Sequence, residues 1–115
     1  MFEAADNVDS GVIYAQDWIN FEGHELIDEI REAQAKATIK LCKKFIEGYP
    51  QILNQKREQA GEASFYSRRS GTDSELDSKQ SIGAQFDQLR VVDNHRYPAF
   101  FVYRHHRYTL KIEKV

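Results

Sequence analysis

Asp6-Asn7-Val8-Asp9-Ser10-Gly11, followed by Val12-Ile13-Tyr14-Ala15-Gln16, is the stretch on which the fold turns. It places two carboxylates three residues apart, then a Ser-Gly pair, then a run of strand formers. Gly accepts positive φ and Ser bonds to nearby backbone, so Ser10-Gly11 reads as a tight turn. Val12, Ile13 and Tyr14 favour a strand leaving it, expected over 12–19 with Trp18 and Ile19 as its bulkiest residues. A short strand is expected over 2–5, ahead of the turn. A carboxylate held where turn meets strand is rigid at its base and exposed at its tip, which suits a catalytic group. A solvated acidic turn would have the same spacing.

Working outward, the clearest periodicity in the chain predicts a helix over 23–47. Leu26, Ile30, Ala33, Ala37, Leu41 and Phe45 recur at steps of 4, 3, 4, 4 and 4, one apolar stripe on a helix. Glu22, Glu25, Asp28 and Glu29 crowd its start and Lys40, Lys43 and Lys44 its end, both favourable to the helix dipole. Glu32 and Lys36 form an i,i+4 pair in the better orientation. Gly48 suits the C′ position, and Pro50 stops continuation. The lysines read as a solvated helix end rather than a phosphate site. Cys42, beside the stripe, reads as a small core-edge residue rather than a nucleophile.

Residues 51–62 are polar and read as a connection. Beyond them come a strand candidate over 63–67 through Phe65 and Tyr66, then a loop at Ser70-Gly71-Thr72. Asp73, Glu75 and Asp77 alternate, but a calcium loop would need Gly where Ser78 stands and Glu where Ala84 stands. Asp77-Ser78-Lys79-Gln80 instead resembles a capping box, and Ile82, Phe86 and Leu89 have helical spacing, so a second helix is expected over 78–90. Tyr97-Pro98 enforces extended backbone. Strands over 99–103 and 108–115, around a tip at Arg104-His105-His106-Arg107, make a terminal hairpin without the usual Asn-Gly or Asp-Gly turn.

Composition sets the outer limits. The chain has 115 residues, 41% hydrophobic and 12% aromatic, enough for one modest core. No apolar run approaches the roughly 20 residues of a bilayer span, so no membrane contact is expected. Sixteen basic and eighteen acidic side chains give a net charge of −2, which argues against a nucleic-acid partner. A lone cysteine and the lack of a signal peptide point to a cytoplasmic protein. Adjacent His105 and His106 diverge, and His24 has no second histidine at helical spacing, so no metal site is expected.

The segment Ala5-Asp6-Asn7-Val8-Asp9-Ser10-Gly11-Val12-Ile13-Tyr14-Ala15-Gln16 resembles the folate-dependent formyltransferases, in which an Asp-(Ser/Thr)-Gly turn carries the catalytic aspartate. Two further stretches agree in order and spacing. They are Phe65-Tyr66 through Arg68-Arg69 and Asp73-Ser74-Glu75-Leu76-Asp77, and Leu89-Arg90-Val91-Val92 leading to Tyr97-Pro98-Ala99-Phe100. Both are similar to the post-catalytic segment of enzymes that formylate amino sugars.

The resemblance implies an α/β fold (α+β within these residues). The C-terminal part of a Rossmann-like formyltransferase domain, strand–turn–strand–long helix, would occupy 1–50. A linker would follow over 51–62, then a small helix-plus-hairpin subdomain over 63–115. It implies formyl transfer from 10-formyl-tetrahydrofolate to the amine of a nucleotide-linked amino sugar, with Asp9 as the catalytic carboxylate and Asp6 at a non-catalytic acidic position. The family's Asn-x-His pair and folate-binding segment are expected before Met1, so the 115 residues alone should be inactive. Arg68, Arg69, Asn94, Arg96 and Tyr97 are the candidates for substrate binding: paired arginines grip a diphosphate and an aromatic ring stacks on a base or sugar. The competing account sets Arg68 and Arg69 in a salt-bridged cluster with Asp73, Glu75 and Asp77. Two alternatives stand beside this reading. One is a methionyl-tRNA formyltransferase-like protein, which would be expected to continue into a basic β-barrel domain. The other is a non-catalytic binding module that forms a homodimer through the terminal hairpin.

Overall fold

The structure is a computed structural model describing residues 1–115. It combines helices with a small mixed sheet, so the chain is of mixed α/β type. It divides into two compact units, Met1–Asn20 with Arg31–Phe65, and Phe21–Ile30 with Tyr66–Val115.

In the first unit the Asp9 turn does fold the chain back on itself, but the two expected strands do not form. Phe2 and Ile13 make an isolated antiparallel bridge, and Ile13 makes another with Arg57, exchanging backbone hydrogen bonds of 2.8 and 3.0 Å. Beyond that the 12–19 segment finds no ladder, and strands without neighbours are not stable in water. Trp18, one of the two bulkiest residues of the expected strand, is 88% exposed. The turn's glycine also acts differently from the expectation. Positive φ falls on Asp9, at 54°, whereas Gly11 is needed for space. A Cβ on Gly11 would lie 1.8 Å from the carbonyl oxygen of Glu3.

Helix α1 spans Ile27–Gly48. It begins later than the periodicity suggests because Gly23 adopts φ 95° and the chain before Ile27 is held as a loop by acidic side chains. Glu25 accepts from the N–H groups of Glu22 (2.8 Å) and Gly23 (2.9 Å), and Glu29 accepts from Leu26 N–H at 2.8 Å. The crowded carboxylates therefore cap the helix start directly. Gly48 is the last helical residue rather than C′, packed against Ile52, where a Cβ would meet that side chain at 3.2 Å. A 3₁₀ turn, Gln51–Gln55, follows. The expected stripe is half-buried along its whole length, and no residue of α1 is fully buried. Tyr14 meets Phe45 edge-on with ring centroids 5.9 Å apart, and Lys40 pairs with Asp17 at 2.6 Å. The predicted Glu32–Lys36 pair forms at 2.6 Å.

The second unit holds a three-stranded sheet in the order β1-β2-β3. Its strands are β1 Glu75–Leu76, β2 Ala99–Tyr103 and β3 His106–Leu110. β1 runs parallel to β2, with Leu76 opposite Phe101, and β3 is antiparallel to β2, with Tyr103 opposite His106. The hairpin is therefore tighter than expected. Its two tip residues, Arg104 (φ 49°) and His105 (φ 66°), both take left-handed geometry, the pattern of a type I′ turn without glycine or asparagine. The expected helix over 78–90 shrinks to a 3₁₀ turn, Gly83–Gln85, and helix α2, Phe86–Arg90. Gly83 sits in its middle, and glycine inside a helix costs roughly 1 kcal/mol relative to alanine. The capping group is also elsewhere: Ser70 and Asp73 cap the 3₁₀ turn Gly71–Ser74, while Asp77 closes a short turn on Lys79. The expected strand over 63–67 does not form: the segment is exposed and has no pairing. Leu76, Leu89, Val92 and Ala99 form the core, flanked by Phe101, Leu110 and Ile112.

Arg90 ties the α1 lead-in to this core. Its guanidinium donates to the Glu25 carbonyl at 3.1 Å and lies 3.8 Å from the Glu25 carboxylate, both side chains being largely covered. The Glu22 N–H, then those of Glu25 itself and Gly23, hold the Glu25 carboxyl down at about 2 against the opposing effect of burial, with His24 adding to the depression. An ordinary value of 4.5 applies in the unfolded chain. Glu25 thus stabilises the fold above pH 4.5, and that contribution disappears as pH falls toward 2. The melting temperature of the second unit is expected to drop over this window, and Glu25→Gln to flatten the drop; equal slopes in thermal melts of both proteins would refute the assignment.

Candidate functional site

Asp9 lies in the first unit, at the apex of its turn. Two groups brace the backbone beneath it. The Gln59 side-chain amide donates to the carbonyls of Asp9 (2.6 Å) and Gly11 (2.8 Å), and Ser10 Oγ donates to Asn7 O at 2.9 Å. The Asp9 carboxylate itself is exposed and makes no ion pair or hydrogen bond. A fixed base with a free acceptor can take a proton from an approaching group. Gln59 went unnoticed in the sequence because it lies 50 residues from Asp9 in a segment with no periodic signal.

Arg68, Arg69, Asn94, Arg96 and Tyr97 all fall in the second unit. Ser74 links two of them. Fully buried, it accepts from Arg69 at 3.4 Å through its Oγ, which donates to the Tyr97 carbonyl at 2.9 Å. Arg96 and His95 are positioned by Asp93, whose carboxylate accepts from both of their backbone N–H groups at 2.9 Å. Asn94 donates to Ile112 O at 3.4 Å, while its Oδ1 is buried without a partner. An unmet buried acceptor costs about 1–3 kcal/mol, so Asn94 retains capacity for one more donor. Ser74 gave no sequence signal of its own; Asp93, two and three residues before the N–H groups that it caps, had the spacing of an Asx turn.

The salt-bridged cluster does not form. Asp73 is engaged with Ser70, accepting from its N–H at 2.6 Å and its hydroxyl at 3.2 Å. Those bonds, the N–H first, hold its carboxyl below the ordinary range, with the charge of Arg69 contributing least. Asp77 accepts from Lys79 N–H at 2.9 Å and the Gln80 amide at 3.3 Å. Arg68 and Arg69 are left exposed, with no carboxylate within ion-pair distance.

The histidines do not assemble a metal site, and no group of three His, Cys, Asp or Glu side chains converges. His106 Nδ1 is 2.8 Å from Arg104 O at the hairpin tip, and His24 lies between Lys114 (2.9 Å) and Glu22 (3.2 Å). On the lysine face of α1, a concavity of about 550 Å³ is lined by Lys36, Ile39, Lys40, Lys43, Lys44 and Glu47. It offers no aromatic ring on which a pterin could stack. No helix is long and apolar enough to cross a membrane. Comparison with protein families, with characterised proteins and with solved structures finds no match.

Proposed function

We propose that this chain carries the acceptor side of a formyl-transfer site of the folate-dependent type. In this reading Asp9 handles the proton, and Arg68, Arg69, Asn94, Arg96 and Tyr97 bind a nucleotide-linked amino sugar. The observation that carries the reading is the state of the two arginines. They are adjacent in sequence and exposed, and neither forms an ion pair, while the carboxylates of Asp73 and Asp77 are occupied with backbone N–H groups. A diphosphate supplies the charge that the chain does not, and guanidinium groups bind phosphate oxygens in a bidentate manner. The Tyr97 ring, partly exposed and next in sequence to Arg96, offers a face for a base or sugar.

When the amine attacks the formyl carbon, a C–N bond forms and the bond to the donor nitrogen breaks; the attacking nitrogen loses a proton and the departing nitrogen takes one up. In this reading Asp9 accepts the proton that the attacking nitrogen loses. The sequence contains no Asn-x-His; in this reading the groups that polarise the formyl carbonyl, and the pocket for 10-formyl-tetrahydrofolate, are supplied by residues other than these 115. The residues present do not fit the donor.

Calorimetric titration of the chain with a nucleoside diphosphate-linked amino sugar tests the acceptor side. Arg68→Ala and Arg69→Ala together are expected to weaken binding by about tenfold to a hundredfold, as loss of charge-assisted hydrogen bonds does, with the thermal midpoint lowered only slightly by loss of the long 3.4 Å bond from Arg69 to Ser74. Unaltered binding, or a loss of stability in step with the loss of binding, would overturn the assignment.

A further inference from the structure

Two parts of this chain are suited to β pairing and have no partner. One is the outer edge of β3, whose N–H and C=O groups meet no other backbone and whose residues, unlike those of many edge strands, include no proline or bulge. The other is Glu62-Ala63-Ser64-Phe65-Tyr66-Ser67. Every residue of it is exposed, none makes a hydrogen bond, and Phe65 and Tyr66 are 92% and 93% exposed. Exposed backbone without partners, carrying two adjacent aromatic side chains, can add as a strand to a free sheet edge.

We propose that the chain self-associates as a reciprocal pair. The 62–67 segment of one copy adds as an antiparallel strand to the β3 edge of a second copy, and the second copy returns the same contact. One register matches every side chain. It sets Glu62 against Lys111, Ser64 against Thr109, Phe65 against Tyr108 and Tyr66 against Arg107. Phe65 then adds a third ring to the Phe101–Tyr108 stack, whose centroids are 5.5 Å apart. Tyr66 covers the free side of the Arg107 guanidinium, which lies 3.5 Å over the Phe100 ring. A parallel strand keeping the Phe65–Tyr108 match would set Arg68 against Lys111, a like-charge pair.

A second copy is the occupant because reciprocal exchange satisfies both free edges of both chains and closes the assembly. The area suffices as well. Two fully exposed aromatic side chains per copy, at about 150–250 Å² each, bury roughly 600–1,000 Å². The surfaces they cover on β3 bring the total to the roughly 1,200–2,000 Å² of specific interfaces. The exposed surface of the chain, 9663 Å², leaves room for such burial. A compact chain of this mass would expose about 6,500 Å², and two separate halves about 7,800 Å².

The test mixes two single-cysteine forms of the whole chain, both carrying Cys42→Ser, one with Phe65→Cys and the other with Tyr108→Cys. Mild oxidation is expected to give mainly the 65–108 heterodisulfide, because the two Cα atoms face each other across a close pair. Sedimentation of the unmodified chain should show a dimer. Ser64→Pro removes a ladder N–H from an exposed segment that makes no hydrogen bond within its own chain, so folding should be unaffected, and dimerisation should weaken at least about tenfold. A 65–65 or 108–108 disulfide as the main product, a statistical mixture of the three, a chain monomeric up to about 100 μM, or a dimer indifferent to Ser64→Pro would each overturn the proposal.

Discussion

Leu89→Ala is expected to unfold the second unit at 25 °C while leaving the first unit's helix intact. Leu89 is 1% exposed and sits with Leu76, Val92 and Ala99 in the only tight cluster of that unit. Truncating a buried leucine removes transfer free energy and leaves a cavity, together about 2–5 kcal/mol. Small domains have total stabilities near the low end of about 5–15 kcal/mol, so one such loss consumes most of the margin. Relaxation is hindered because Leu89 is on α2, which Arg90 anchors to the Glu25 carbonyl and carboxylate. Ile82→Ala is the matched control, since Ile82 is 55% exposed and its truncation should cost well under the core value. Hydrogen exchange resolved by residue distinguishes the units. Amides of β2 and β3 should lose protection in Leu89→Ala, and those of 31–48 should keep it. Retained protection in the sheet would show that the cluster is not the unit's source of stability.

The position of that cluster was partly legible in the sequence. Ile82, Phe86 and Leu89 have helical spacing, which led correctly to a helical element containing Leu89. It overstated its length because periodicity does not register the cost of Gly83 at the centre. The long helix was legible for the opposite reason: its apolar stripe repeats over five intervals with no breaker until Gly48-Tyr49-Pro50. Its start was blurred because carboxylates at a helix N-terminus serve equally as first-turn residues or as caps. Glu25 and Glu29 proved to be caps of the loop before Ile27.

Strands were read less well, and the failures share a cause. Val12-Ile13-Tyr14 and Phe65-Tyr66 have strand propensity, but a strand exists only with a neighbour, and propensity carries no information about neighbours. Ile13 found single partners in Phe2 and Arg57; Phe65 found none. Conversely, Glu75–Leu76 forms a strand because Phe100 and Phe101 lie alongside it. Nothing in its own acidic surroundings announces this. Site residues followed the same rule. The Asp9 turn was visible as a local motif, whereas the bracing by Gln59 and the buried Ser74 bridge between Arg69 and Tyr97 depend on contacts across the chain.

Asp9 carries the largest expected effect on activity. The turn fixes its backbone by two hydrogen bonds from Gln59, so a change confined to the carboxylate should leave the turn in place. Asp9→Asn preserves volume and shape but cannot accept a proton from an attacking amine. Within a complete enzyme, turnover is expected to fall by about 10²–10⁴, the usual contribution of a positioned base, with little change in amino-sugar binding. The 115 residues by themselves are expected to show no formyl transfer from 10-formyl-tetrahydrofolate to any amine. Loss of a single oxyanion donor already costs on the order of 10²–10³, and in the proposed formyl transfer both those groups and the donor pocket belong to residues other than these 115. Two assays decide the matter: product formation by this chain alone, and steady-state kinetics of the Asp9→Asn variant in the complete enzyme. Turnover by the isolated chain would mean that it contains a whole site of its own and that the formyltransferase reading is mistaken. Near-normal turnover by the variant would reduce Asp9 to an exposed carboxylate on a braced turn.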